Sequence, residues 1–125
     1  MFDIITKLQK SAVVKQVQVV DMIDETSAKF LKCCAELIDD SKLYITESYT
    51  AGKTRYSYHW QSSSNQMIVR WDNAPHYRHH STFPHHKHEG TQVFECPRVL
   101  IDEVLQEIEQ EIENRFPTSD DEFVA

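Results

Sequence analysis

A chain of 125 residues with 40% hydrophobic content is long enough for one domain with a modest core. It opens with no basic segment leading into an apolar one, and no apolar run approaches the roughly 18 residues that cross a bilayer; a cytoplasmic protein without a membrane span is expected. A net charge of −7 argues against a generally basic nucleic-acid binder, and three cysteines, two of them the neighbours Cys33 and Cys34, make a poor disulfide framework and read as reduced, mostly buried thiols.

Phe2, Ile5 and Leu8 fall about one turn apart, which predicts a short amphipathic helix over Phe2 to Lys10. Val13 to Asp24 is dense in β-branched residues alternating with polar ones and predicts a strand. Leu31, Cys33, Ala35 and Leu37 alternate with Lys32 and Glu36, so Ala28 to Ile38 is a second strand, closed by the turn residues Asp39-Asp40-Ser41. Leu43 to Tyr49, Thr54 to Trp60 and Gln66 to Asp72 are three more, separated by Thr50-Ala51-Gly52 and Ser62-Ser63-Ser64-Asn65. The five form an antiparallel meander. In the last hairpin, a register that sets Arg55 opposite Asp72 gathers Tyr56, Tyr58, Trp60, Met67, Val69 and Trp71 on an aromatic core face. Arg55, Ser57, His59, Ile68, Arg70 and Asp72 then share a polar face. Asp72 to Glu95 shows prolines and histidines but no clear periodicity and reads as mostly loop, of a length that is usually functional or disordered. Beyond Pro97, Ile101, Val104, Leu105, Ile108 and Ile112 draw an apolar stripe along a helix from Val99 to Phe116, with Asp102 and Glu103 at its positive end and Arg115 at the other. Ser119 to Ala125 is expected to fray. The fold class is α+β: one domain spanning 1–125, a meander of about five strands with the C-terminal helix packed on one face and a short N-terminal helix.

Charge and chemistry are segregated along this layout. From Lys53 to Arg98 there are six basic against three acidic residues, and all seven histidines lie there, whereas residues after 98 carry nine acidic and one basic. The centre can therefore meet a polyanion while the acidic helix stays solvated. Within the segment 55–90, two histidines flanking a phosphodiester can exchange protons with a ribose 2′-OH and its leaving oxygen, and an arginine can hold the phosphate. His59, Arg70, Asp72, His76, His85, His86 and His88 are the candidate catalytic residues, with His85 and His88 as the proton donor and acceptor and Asp72 orienting an imidazole. Arg55 and Lys87 are candidate phosphate contacts, and Tyr58 and Trp71 candidate base-stacking residues. No cofactor is needed for this chemistry. The rival is a divalent metal held by His85, His86 and His88 with Asp72 or His76, although this spacing matches no specific metal motif. For Asp72 and Asn73 a plain structural reading stands beside the catalytic one, with Asp72 paired to Arg55 and Asn73 making a turn before Pro75.

Three blocks, Tyr56-Ser57-Tyr58-His59-Trp60-Gln61, Arg70-Trp71-Asp72-Asn73-Ala74-Pro75-His76 and Phe83-Pro84-His85-His86-Lys87-His88, resemble the TumE family of small prokaryotic toxins. The resemblance implies a type II toxin–antitoxin module in which a DNA-binding antitoxin encoded alongside relieves toxicity. It carries no reaction with it. Joined to the residues, it gives a metal-independent ribonuclease as the leading expectation, with a metal-dependent nuclease or an RNA- or ribosome-binding translation inhibitor as alternatives. The antitoxin is expected to cover the surface of Arg55, His59, Arg70 and His85 to His88, in a hetero-oligomer or around a homodimer.

Overall fold

In chain order the elements are α1 (Asp3–Lys10), β1 (Val14–Asp24), β2 (Ala28–Leu37), β3 (Lys42–Thr50), β4 (Lys53–Gln61), β5 (Met67–Asp72), β6 (His86–Glu89), β7 (Gln92–Glu95) and α2 (Ile101–Arg115). They come from a computed structural model that describes residues 3–115. All seven strands join in one antiparallel sheet whose spatial order is the chain order. The α+β class and both helices match expectation, and the meander is two strands longer. Phe2, Phe116 and the tail from Ser119 to Ala125 lie outside the described residues. No helix among those described is long and apolar enough to cross a membrane.

The period-2 pattern of the strands places alternate side chains in a single core. Leu31, Cys33, Ala35 and Leu37 of β2, Leu43 and Ile45 of β3, Tyr56, Tyr58 and Trp60 of β4, and Val69 and Trp71 of β5 are all buried. Ile4 and Leu8 of α1 and the whole predicted stripe of α2, Ile101, Val104, Leu105, Ile108 and Ile112, close over them. At the start of α2 the Glu103 carboxylate accepts the Leu100 amide at 3.1 Å, satisfying a donor that the helix leaves unpaired. The two helices are joined through Lys7 to Asp102 at 3.0 Å and Ser11 to Glu109 at 2.8 Å. The cysteines are free, and burial pushes the Cys33 thiol up to about 11, as suits an inert core thiol.

Two expectations need correction. Arg55 does not face Asp72: it pairs with Ser48, and Ser57 stands opposite Asp72, two residues from the expected register, with a further irregularity between Trp60 and Gln61. Because the shift is two residues, Tyr56, Tyr58, Trp60, Val69 and Trp71 keep the core face and His59, Arg70 and Asp72 the other; Ile68, expected on the polar face, packs instead against the core. Nor is Asp72 to Glu95 all loop. After His85 the chain forms the β6–β7 hairpin, turning at Gly90, whose φ of 62° lies in the left-handed region that favours glycine.

Candidate functional site

Because α1 and α2 cover one side of the sheet, the other side presents the polar alternates of the strands. Strand pairing lines them up in rows. One runs Tyr44, His59, Arg70, His88 and the next Thr46, Ser57, Asp72, His86, with Arg55 following Ser48 in a third. Thr46, Ser48, Arg55, Ser57, Arg70 and Asp72 line a shallow cleft of 220 Å³ on this face.

Asp72 is the hub. Its carboxylate is buried and accepts from the Ala74 amide at 3.0 Å and from Arg70 Nε at 3.1 Å. His86 Nε2 lies 2.9 Å from the first oxygen and His88 Nε2 3.6 Å from the second. His86 is buried as well, and its other nitrogen, Nδ1, lies 3.0 Å from the Pro84 carbonyl. Both of its nitrogens thus face oxygen acceptors. Whichever nitrogen carries the proton, the two contacts hold the ring between Asp72 and the Pro84 carbonyl. Asn73 anchors the chain leaving β5: its side chain accepts the Tyr56 amide at 2.9 Å and donates to the Thr54 carbonyl at 2.8 Å. Tyr77 packs against the cluster, its ring 4.9 Å from that of His86 and 6.0 Å from that of His88. Its φ of 57° is unusual for a residue with a side chain and is held by the surrounding loop.

Two imidazoles, His59 and His88, flank the cleft-lining Arg70 in its row. Burial holds His88 below the ordinary histidine range; Asp72 pulls it upward, while His86 and Arg70 reinforce the depression. Burial also lowers His59, Arg70 adds to the effect, and a 3.2 Å contact with Gln61 Oε1 opposes it.

The fold therefore brings together Arg55, His59, Arg70, Asp72, His86 and His88, and separates the rest. His85 points to the opposite face, where its Nδ1 lies 2.9 Å from the Tyr56 hydroxyl, because neighbouring residues of an extended chain project to opposite sides. The expected pairing of His85 with His88 is lost for that reason. Lys87 also faces the helix side, bonded to Glu107 of α2 at 2.8 Å and lying over the Trp71 ring. Tyr58 and Trp71, expected to stack bases, are only 1% and 2% exposed and belong to the core. His76 sits on the loop with its ring edge-on to Tyr77. Sequence reasoning also passed over Tyr77, Glu47 and Arg98. Glu47 carried a visible signal, an acid in phase with Leu43 and Ile45 on the core face of β3.

For a metal, Asp72, His86 and His88 offer three ligand atoms within 4.8 Å of one another, and the Pro84 carbonyl on His86 Nδ1 is the outer contact that a metal-bound imidazole commonly has. Against this, Arg70 places a guanidinium on the same carboxylate and Ala74 takes a second position on it. A divalent ion held there would share the Asp72 carboxylate with Arg70 and Ala74.

Fold and cluster define a small α+β protein with a helix-backed antiparallel sheet and an arginine–histidine–carboxylate site on the bare face. The family model described as Toxin TumE matches residues 2–115, so the chain belongs to that family and is a toxin by family. Curated proteins and solved structures gave no match.

Proposed function

We propose that this toxin cleaves RNA without a metal, on the helix-free face of its sheet. The observation that carries the reading is the row His59–Arg70–His88 across β4, β5 and β6. Adjacent strands lie about 4.8 Å apart, so the two imidazoles flank the guanidinium with about 10 Å between their strands, room for a phosphodiester over Arg70. Arg70 and Arg55 hold the phosphate and offset the charge it gains. His59, which has no carboxylate beside it, takes the proton of the 2′-OH; the 2′-oxygen attacks phosphorus. The bond to the 5′-oxygen breaks, and that oxygen leaves with a proton from His88, whose charged form burial disfavours and Asp72 partly restores. The products are a 2′,3′-cyclic phosphate and a 5′-hydroxyl. Asp72 and His86 do not reach the substrate; they fix Arg70 and His88.

The test is cleavage of RNA by the purified chain in EDTA, with a cyclic phosphate end on the product. Cleavage lost in chelator and restored by a divalent ion would support the second reading, a metal on Asp72, His86 and His88. Growth arrest with intact RNA would support an RNA- or ribosome-binding inhibitor acting by occupancy. The partner we propose is a DNA-binding antitoxin of a type II module, laid over Arg55, His59, Arg70, His86 and His88 by complementary charge.

A further inference from the structure

The face that carries the helices holds a second set of reactive groups that the cleft does not use. Glu47 is 6% exposed on β3. Tyr58 donates to its Oε2 at 3.1 Å, and Arg98 Nη2 stands 3.9 Å from its Oε1, a separation longer than a hydrogen bond. The Arg98 guanidinium lies 4.4 Å over the Tyr56 ring, and the Tyr56 hydroxyl holds His85 Nδ1 at 2.9 Å. The Tyr56 and Tyr58 rings stack at 5.2 Å and link the two halves. One carboxylate, one imidazole, one guanidinium and two phenols thus meet beside the segment entering α2. The buried carboxylate is thus covered on one oxygen by an ion pair at 3.9 Å and not by a direct hydrogen bond from Arg98.

We infer that Glu47, His85, Arg98 and Tyr56 form a second acid–base site, built for a phosphodiester. It rests on the reading of RNA as substrate. Arg98 is the movable part: its side chain is one-third exposed and only loosely paired, so a phosphate draws it off the Tyr56 ring and uncovers Glu47. Glu47 Oε1 then takes the proton of an attacking ribose hydroxyl, whose oxygen bonds to phosphorus. The leaving oxygen departs with the Nε2 proton of the His85 imidazolium. The Tyr56 hydroxyl both donates and accepts, so it keeps the ring in place through either protonation state. The carboxylate ends protonated and the imidazole neutral, which balances the transfer.

Two measurements on the purified full chain test this. The first titrates uridine 3′-phosphate and follows the side-chain signals of His85 and Arg98 beside those of His59, His88 and Arg70. Shifts at His85 and Arg98 that Arg98→Ala weakens tenfold or more are expected; signals that stay still at both residues would overturn the inference, even if the protein cut no RNA at all. The second measures the single-turnover RNA cleavage that remains in a His88→Ala background, with and without Glu47→Gln or His85→Ala added, and with thermal melting as the folding control. A further fall of about 10²- to 10³-fold in folded protein is expected, and residual cleavage unchanged by both added substitutions would overturn the proposal. Should Glu47→Gln fail to fold, His85→Ala and Arg98→Ala, at partly exposed positions, take its place. Cleavage at the wild-type rate in His88→Ala alone, lost when His85→Ala is added, would leave this site standing while removing the one on the bare face.

Discussion

Replacing Asp72 by asparagine should destabilise the protein far more than an ordinary surface change, and the reason is in the accounting of its contacts. The two carboxylate oxygens face His86 Nε2 at 2.9 Å, the Ala74 amide at 3.0 Å and Arg70 Nε at 3.1 Å, with His88 at 3.6 Å. Asparagine has nearly the same shape, but one of its two ends becomes a donor. If the amide oxygen serves His86 and Ala74, the NH₂ group opposes Arg70; if it turns over, Ala74 and His86 lose their acceptor. Leaving a buried partner unsatisfied costs about 1–3 kcal/mol. With an unfolding entropy of about 2.1 cal/mol/K per residue over 125 residues, this corresponds to a fall in Tm of about 4–11 °C. Arg70→Ala, which empties one mostly solvated position on the same carboxylate, should cost about 1 kcal/mol or less. Melting followed by circular dichroism at pH 7 in low and high salt measures both. An Asp72→Asn protein that melts within about 2 °C of wild type, a change worth about 0.5 kcal/mol, would show that the Asp72–His86 pair contributes nothing net and that Asp72 is no hub.

Other expected outcomes follow from the same geometry. His59→Ala or His88→Ala should lower RNA cleavage by about 10²- to 10⁴-fold while Tm stays near wild type, and His79→Ala, on the exposed loop, should leave the rate unchanged; single-turnover assays with matched melts decide this. Burial and then Arg70 hold the His59 imidazole below its usual range, so Arg70→Gln should raise its titration midpoint in an NMR pH series, and an unmoved midpoint would remove the electrostatic coupling claimed across β4 and β5. Glu47 is raised by burial, with Tyr58 and Arg98 opposing, so its contribution to stability is fully present below the unfolded carboxylate value and is lost as pH rises through the folded one. Glu47→Gln should therefore gain on wild type in urea melts between pH 4 and pH 7; a constant difference would contradict that sign. Finally, Arg70→Glu should weaken toxicity and antitoxin binding together in a co-expression and pull-down test, whereas Glu113→Lys, on the exposed side of α2, should spare both.

Strands β2 to β5 and α2 were legible because their apolar residues repeat at the period of the element, and every member of the predicted α2 stripe is buried; β1 was legible by its β-branched content alone, since it buries none of its residues. The β6–β7 hairpin was not, for a reason particular to its residues. In His86-Lys87-His88 all three side chains are polar by composition, yet Lys87 lies along Trp71 toward α2 while His86 is buried against Asp72. Alternation of environment was present without alternation of hydrophobicity. The hairpin register failed differently, because a shift of two residues between Tyr58–Trp60 and Val69–Trp71 leaves their pattern of faces unchanged, so alternation does not choose between the two solutions.

The same periodicity explains which site residues could be trusted. On β4 and β5 the polar alternates are fixed to one face by the aromatic ones between them, so Arg55, His59, Arg70 and Asp72 arrive together on the bare side. Applied consistently, that rule also removes Tyr58 and Trp71 from any surface, since the residues that make the core face aromatic cannot also stack bases. From His85 to His88 the sequence has no apolar marker to set the phase, and four consecutive side chains were taken as one cluster although an extended chain must divide them. His86 and His88 go to Asp72, while His85 and Lys87 go to Tyr56 and Glu107. The division is what gives the molecule two chemically distinct faces. A single strand of histidines supplies an imidazole to each, and the carboxylate waiting on either side, Asp72 or Glu47, differs in how completely its oxygens are already engaged. Asp72 is saturated and can only orient its neighbours; Glu47 keeps one oxygen loosely covered by Arg98, and so retains the capacity to take a proton.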